Sequence, residues 1–329
     1  MTDDLVDLID YAWSDPGLET AVWPMIRGEV QPGLDLLGSC RAEPDRREIA
    51  VQVLGSASQR RLPAVRALVD RDPGDADRWL LYGSALANAA FTVRGADTAE
   101  HTTETQFMGM AAFLAQAREA LDRASTLAPD DHAAHCLLLQ CAIAMADHDG
   151  EHQKIFATIV ERHPQSYFGH TLMLTALTRK WYGSQRQVRE FARDRTAAVP
   201  DGHPLLALTA YAHIEGYLDG AMRGGRVGKV WRLMRYFKDT TVLAELHAGS
   251  DRLLASPAYA GHPQFIAANQ AYAMVFHRAE DEARSAPHLM RSGTRPARWP
   301  WLYFGDHHAE FNAARRAAGL PPVTTATPG

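Results

Sequence analysis

The sequence predicts an all-α fold, arranged as a right-handed solenoid of about five helix hairpins. Two observations support this prediction. Ala, Leu, Arg and Glu recur at helical spacing, whereas the alternation of β-branched residues that is typical of strands never persists. Prolines also separate successive amphipathic runs, because a residue without an N–H group cannot continue the helix before it. These prolines are Pro73, Pro129, Pro164, Pro200 and Pro263.

The elements follow in order along the chain. Residues 1–45 are expected to form an N-terminal helical cap whose short helices are interrupted at Pro16 and Pro32. Residues 46–319 form the repeat domain, with insertions at about 93–110 and 218–240, and residues 320–329 have the composition of a disordered tail. Helices of the repeat domain are predicted at 46–58, 62–72, 132–147, 151–162, 165–181, 184–198, 204–217, 241–256 and 264–280.

The spacing of the prolines and the residues between them indicate the type of hairpin. The steps from Pro129 to Pro164 and from Pro164 to Pro200 are 35 and 36 residues, close to the roughly 34-residue tetratricopeptide period. One unit also carries the tetratricopeptide order of a Trp, a Gly, an Ala, a bulky apolar residue, an Ala and a Pro. Its members are Trp79, Gly83, Ala117, Leu121, Ala124 and Pro129. Small residues in this pattern let two helices approach, and large ones fill the space between them.

Three segments carry a resemblance to a particular family. They are LAQAREALDRASTLAPDD, TRKWYGSQRQVREFAR and WPWLYFGDHHAEFNAARRAAGLP. These segments resemble actinobacterial tetratricopeptide-like proteins that are classed only as a domain of unknown function. Where that family is expected to have Lys-Trp-Gly-Gly-Ser, this chain has Lys180-Trp181-Tyr182-Gly183-Ser184. The resemblance covers roughly residues 60–320 and implies the helical-repeat fold, without an established activity.

Composition excludes several classes of protein. The net charge of −5 argues against a general nucleic-acid-binding role, which needs a basic excess. Three cysteines without framework spacing indicate reduced thiols, and no apolar stretch reaches the roughly 20 residues of a membrane span. The acidic, amphipathic start lacks the pattern of an export signal. We therefore expect a cytoplasmic protein with no membrane span.

The favoured function is a binding protein that holds a peptide, a protein or a small ligand in the concave groove of the solenoid. In the tetratricopeptide register, polar residues recur on the inner face of the first helix of each hairpin. The ligand-binding candidates are Asn88, Gln140, Thr175, Arg179, Tyr211, Glu215, Gln270, His277 and Arg278. The alternative interpretation is that these positions are ordinary solvated ones.

A second hypothesis is an enzyme of specialised metabolism, with residues 93–110 and 218–240 as lids over a pocket. Its acid–base candidates are His213, Glu215 and His277, since histidine titrates near neutral pH. His213 and Glu215 form an H-x-E triplet, but positions i and i+2 of a helix point nearly opposite ways.

No cofactor or metal is expected, because none of the fifteen histidines has the spacing of a known zinc site. Two further segments have two interpretations each. The basic run 223–238 is either an anion or membrane-surface contact or an inserted helix packed through an apolar stripe that includes Trp231 and Phe237. The aromatic run 295–304 is either a ligand wall or the cap of the last hairpin.

Overall fold

The structure is a computed structural model that describes residues 15–94, 103–145, 149–222 and 235–323. Within these ranges every regular element is helical, which confirms the predicted all-α class. The helices are α1 (Pro16–Arg27), α2 (Gln31–Ser39), α3 (Pro44–Ser58), α4 (Leu62–Arg71), α5 (Ala76–Arg94), α6 (Glu104–Leu127), α7 (His132–Ala144), α8 (Glu151–Arg162), α9 (Tyr167–Ala176), α10 (Gln185–Ala197), a 3-10 turn (Pro204–Ala207), α11 (Leu208–Met222), α12 (Thr240–Leu254), α13 (Phe265–Ala279), α14 (Glu282–Arg291), α15 (Arg298–Trp301) and α16 (His307–Ala317).

The chain divides into two compact units, residues 1–173 and 174–329. In the first unit α5 packs on α6 and α7 packs on α8, and in the second α10 packs on α11 and α13 on α14. No helix among the described residues is both long enough and apolar enough to cross a membrane.

The five prolines that separate the predicted helices all lie between helices. After four of them, a side chain caps the next helix or turn by accepting a hydrogen bond from a backbone N–H group, as N-terminal caps do. The caps are Asp75 (to Asp77 N, 2.9 Å), Asp131 (to Ala133 N, 3.0 Å), Ser166 (to Gly169 N, 3.0 Å) and His203 (to Leu205 N, 3.1 Å). The same local device therefore recurs at each of these turns.

Pro16 and Pro32 of the N-terminal segment begin helices instead of interrupting them. Pro16 is the first residue of α1, and Pro32 lies in the first turn of α2. The first turn of a helix tolerates proline because its N–H groups have no partner within the helix. The end of α1 is set by Gly28, whose φ of 99° lies in the left-handed region.

The contact between α5 and α6 follows the small-and-large pattern seen in the sequence. Ala117, Leu121 and Ala124 are all buried in it, and Gly83 lies against Leu121. A β-carbon on Gly83 would stand 2.6 Å from Leu121 Cγ, so only glycine permits this approach.

Both predicted insertions are partly helical. Helix α5 runs to Arg94, and α6 begins after Thr103, whose side chain forms a capping box with Gln106. Residues 95–102 of the first insertion lie outside the described residues. In the second insertion α11 continues to Met222 and α12 begins at Thr240, while 223–234, including Trp231, lie outside the description.

The second unit contains buried aromatic side chains, and its C-terminal segment packs on α16. Tyr272, Phe276, Trp301 and Phe311 are buried. Beyond α16, the backbone of Val323 exchanges two hydrogen bonds with the side chain of Asn312, at 2.7 and 3.0 Å. The beginning of the predicted tail is therefore tied to α16, and residues 324–329 lie outside the described residues.

Candidate functional site

Four of the predicted groove residues lie in the second unit on two segments that meet. Thr175 and Arg179 belong to the end of α9 and the turn after it, and Tyr211 and Glu215 lie one turn apart on α11. Lys180 joins the two segments, because its Nζ donates to both carboxylate oxygens of Glu215, at 3.2 and 3.1 Å. Glu215 is only 9% exposed, whereas Arg179 and Lys180 are exposed.

The turn that carries Lys180 has a defined conformation. Its backbone closes through hydrogen bonds from Trp181 and Gly183 to Thr178 O, each 3.1 Å long. A β-carbon on Gly183 would stand 2.2 Å from Leu177 O, so the turn requires glycine there. Ser184 then begins α10 as its N-terminal cap. The Lys-Trp-Tyr-Gly-Ser run is thus a tight connection that places Lys180 against α11, and Arg179 comes directly before it.

The structure separates the two members of the H-x-E triplet, as their helical spacing predicts. While Glu215 pairs with Lys180, His213 is buried and contacts two other side chains. Its Nε2 lies 2.9 Å from Glu245 Oε2, and its Nδ1 lies 3.3 Å from the Tyr236 hydroxyl. Arg189 donates to the same hydroxyl at 3.5 Å. Sequence reasoning had not identified Glu245 or Tyr236, because neither is near His213 along the chain.

Burial sets the protonation of this group. It lowers the pKa of His213 to about 4, although the charge of Glu245 acts in the opposite direction. Burial also raises the pKa of Tyr236. At neutral pH the imidazole and the phenol are therefore both uncharged. Hydrogen bonds then run in one direction, from Arg189 to Tyr236 O, from Tyr236 O–H to His213 Nδ1, and from His213 Nε2–H to Glu245. We call Tyr236, His213 and Glu245 the Tyr–His–Glu chain, and Arg189 lies beside it.

The three candidates on α13 contact the segment that follows that helix. Gln270 is fully buried, and its amide binds the backbone of Arg295 and Ala297 and the indole of Trp301, at 2.8, 2.6 and 3.0 Å. His277 Nδ1 lies 3.1 Å from Glu282 Oε1. Gln270 is thus a structural residue of the interior, since its amide holds the 295–301 segment in place.

Arg278 contributes to an aromatic cluster in the same unit. Its guanidinium lies 4.9 Å from the centre of the Phe304 ring. Phe304 packs on Tyr217, and Tyr217 stacks on Phe237, each at 5.2 Å between ring centres. The 295–304 run has a buried part and an exposed part. Trp301 is buried, whereas Trp299 is 42% exposed.

Asn88 and Gln140 lie in the first unit and are half-buried. The Asn88 amide donates to Ser84 O of its own helix, at 2.9 Å. These two residues therefore belong to a different unit from the α11 residues.

A second polar cluster, which sequence reasoning missed, lies in the first unit around Glu48. This carboxylate is completely buried on α3. Its Oε2 accepts from Phe168 N at 3.0 Å, and its Oε1 contacts His132 Nε2 at 3.0 Å and the hydroxyl of Ser166. One turn earlier on α3, Asp45 Oδ1 lies 2.8 Å from His163 Nε2. The ligand atoms of Glu48, His132 and His163 lie within 4.8 Å of one another, which is close enough to hold a metal ion.

A third group has the residue types of a nucleophilic triad, but its serine is not accessible to a substrate. Ser250 Oγ lies 2.8 Å from His288 Nε2, and His288 Nδ1 lies 2.9 Å from Asn269 Oδ1. All three side chains are fully buried, so no substrate reaches the serine. Burial lowers the pKa of His288 to about 3, and the neutral ring links α12, α13 and α14.

By its fold, this is an all-α protein over the residues that the structure describes. No protein-family model matches the chain, and no curated protein matches it either. Its function is therefore argued from the geometry of its own residues.

Proposed function

We propose that this protein is a cytoplasmic, tetratricopeptide-like helical-repeat protein that binds a peptide or protein segment in the concave groove of a solenoid. The recurrence of the same cap after successive prolines, and the close approach of Gly83 to Leu121, support the repeat architecture. The resemblance to actinobacterial tetratricopeptide-like proteins agrees with it.

The observation that supports binding most directly is the Lys180–Glu215 ion pair. It joins two segments that both carry predicted groove residues, among them half-buried Thr175 and Tyr211. Lys180 pairs with Glu215, and the exposed Arg179, which precedes Lys180, adds a second positive charge to the same turn. The surplus cation favours a ligand segment with a carboxylate, either a side chain or a C-terminus.

Cross-linking tests this proposal at the residue level. A photo-reactive phenylalanine analogue at position 211 replaces a half-buried aromatic residue with one of similar shape. We expect it to form adducts with a defined acidic segment of a partner, identified by mass spectrometry. Combining Arg179→Ala with Lys180→Ala should abolish these adducts, because it removes both positive charges that the proposal assigns to the ligand carboxylate.

A matched control uses another ion pair of the same unit. Arg186 and Glu190 face each other on α10 at 3.7 Å and are largely exposed. The double variant Arg186→Ala, Glu190→Gln should keep the adducts. Equal loss of adducts in both double variants, or equal retention in both, would contradict a site at Lys180 and Glu215.

The Tyr–His–Glu chain favours a second candidate, an enzyme that uses acid–base chemistry. His213 contacts Glu245 and Tyr236. These two residues therefore replace Glu215 and His277 as the acid–base candidates beside His213. Tyr236 is the outer hydroxyl of the chain, and the adjacent Arg189 stabilises negative charge on its oxygen. Incubation with a cell metabolite extract, followed by mass spectrometry, should show a compound consumed by the protein but not by Tyr236→Phe. Consumption by both proteins, or by neither, would exclude this role for Tyr236.

A further inference from the structure

The cluster around Glu48 has the composition of a transition-metal site. Two imidazoles and one carboxylate, from His132, His163 and Glu48, bring their ligand atoms within 4.8 Å of one another. This combination of nitrogen and oxygen ligands is one that Zn²⁺ takes in proteins, and related divalent ions accept it as well.

Each ligand is held by the backbone of a different part of the first unit. Glu48 lies in the second turn of α3, His132 is the first residue of α7, and His163 follows the last residue of α8. The two imidazole rings lie 4.7 Å apart between their centres, at 59° to each other. The packing of helix ends therefore fixes the three side chains with little freedom, which lowers the entropy lost on binding an ion.

The surrounding hydrogen bonds are of the kind that orient metal ligands. Asp45 holds the His163 ring through Nε2, as carboxylates hold metal-bound imidazoles. The backbone N–H of Phe168 binds Glu48 Oε2, which directs the other oxygen, Oε1, toward His132 Nε2. Glu48 is therefore oriented by one oxygen and presents the second to the histidines.

The local charge also favours a cation. Arg47, which directly precedes Glu48 on α3, is buried and contacts Asp77 and Asp131 at 2.5 and 2.6 Å. Arg41 lies 2.8 Å from Asp77 as well. These two arginines therefore face Asp77 and Asp131. The carboxylate of Glu48 is buried beside two imidazoles, and a divalent cation held there would offset its charge.

We infer that Glu48, His132 and His163 bind one divalent transition-metal ion, with Zn²⁺ as the first choice, and that Asp45 positions His163 for it. The ion would link α3 to the beginning of α7 and the end of α8 within the first unit. It would act as a clamp on the fold of that unit, and it is independent of the groove proposed in the second unit.

The experiment is a metal titration of the full-length chain after treatment with a chelator. Competition against a chromophoric chelator gives the affinity, and elemental analysis after gel filtration gives the stoichiometry. We expect one Zn²⁺ per chain, a Kd below about 1 µM, and a rise in Tm on adding the ion, because an ion that binds only the native state stabilises it. A Kd above about 100 µM would overturn the proposal, since that affinity is too weak for a structural site.

Variants assign the ion to these residues. His163→Gln changes a half-buried ligand and should weaken Zn²⁺ binding by about 100-fold or more, while Asp45→Asn should weaken it about 10- to 100-fold. His132→Gln is expected to weaken Zn²⁺ binding as much as His163→Gln does. If His132→Gln does not fold, the variant at the half-buried His163 is sufficient to assign the ion. His135→Gln is the control, because His135 lies one turn after His132 on α7 and its ring contacts the backbone oxygen of Asp131 at 3.3 Å. Equal affinity in His163→Gln and the wild type, or equal loss in His135→Gln, would overturn the assignment.

Discussion

Gly83 on α5 lies so close to Leu121 on α6 that a β-carbon at position 83 would stand 2.6 Å from Leu121 Cγ and 2.7 Å from Cδ2. We expect Gly83→Ala to lower the free energy of unfolding by about 1–3 kcal/mol, because added volume in a packed contact forces its neighbours apart. Chemical denaturation measures this change.

The matched control for this substitution is Gly220 on α11. No described atom lies within 4 Å of the position where its β-carbon would be. Gly220→Ala should raise stability by about 0.5–1 kcal/mol, since alanine loses less backbone entropy than glycine in a helix. If both alanine variants were stabilised, the close contact between α5 and α6 would be wrong.

Arg47 provides a prediction about buried charge. Its guanidinium is 3% exposed and binds Asp77, Asp131 and the backbone oxygen of Leu37. Arg47→Met should destabilise the chain by about 3–5 kcal/mol, because it leaves two carboxylates without their buried partner. Arg46→Met, which removes a neighbouring arginine whose side chain is 28% exposed, should cost about 1 kcal/mol or less. Urea unfolding of both variants compares them, and similar losses would argue against the buried network.

The neutral state of His288 predicts a dependence of stability on pH. Its pKa is about 3 in the fold and 6.5 in a model peptide, so the unfolded chain takes up this proton first as the pH falls. The stabilisation is fully present above about pH 6.5 and is lost progressively between there and about pH 3.

His288→Gln should remove this contribution. Between pH 4 and pH 6, we expect the free energy of unfolding to fall less steeply than in the wild type, by up to about 1.4 kcal/mol per pH unit. Leu289→Ala, at a buried position next to His288 that carries no titratable group, is the control and should lower stability while keeping the wild-type slope. Parallel slopes for the wild type and His288→Gln would mean that His288 is not held neutral.

Phe237 tests the apolar stripe expected in the basic run 223–238. It is 2% exposed and stacks on Tyr217 with 22° between the ring planes. Phe237→Ala should cost about 3–5 kcal/mol, as large aromatic truncations in packed sites do. The adjacent Lys238→Ala removes only an exposed ion pair with Glu280 and should leave stability almost unchanged. A thermal melt of each variant distinguishes a packed Phe237 from an exposed one.

The candidate sites could be predicted from the sequence only in part. Residues one helical turn apart, such as Tyr211 and Glu215, share a face by helix geometry alone, and the opposite directions of His213 and Glu215 follow from the same rule. The partners of His213 could not be found in this way. Tyr236 and Glu245 are 23 and 32 residues away from His213 along the chain. Contacts across such distances depend on how helices pack.

The amino-acid sequence by itself determined the all-helical class and most of the turns between helices, although the helix predicted at 165–181 ends at Ala176. Proline, glycine and capping side chains act within a few residues, so Pro129 and Asp131, for example, define the boundary between α6 and α7 without help from the rest of the chain. Only the tertiary structure decided which polar side chains meet. Glu48 contacts His132 across 84 residues because packing brings α3 to the beginning of α7, and no spacing in the sequence encodes that approach.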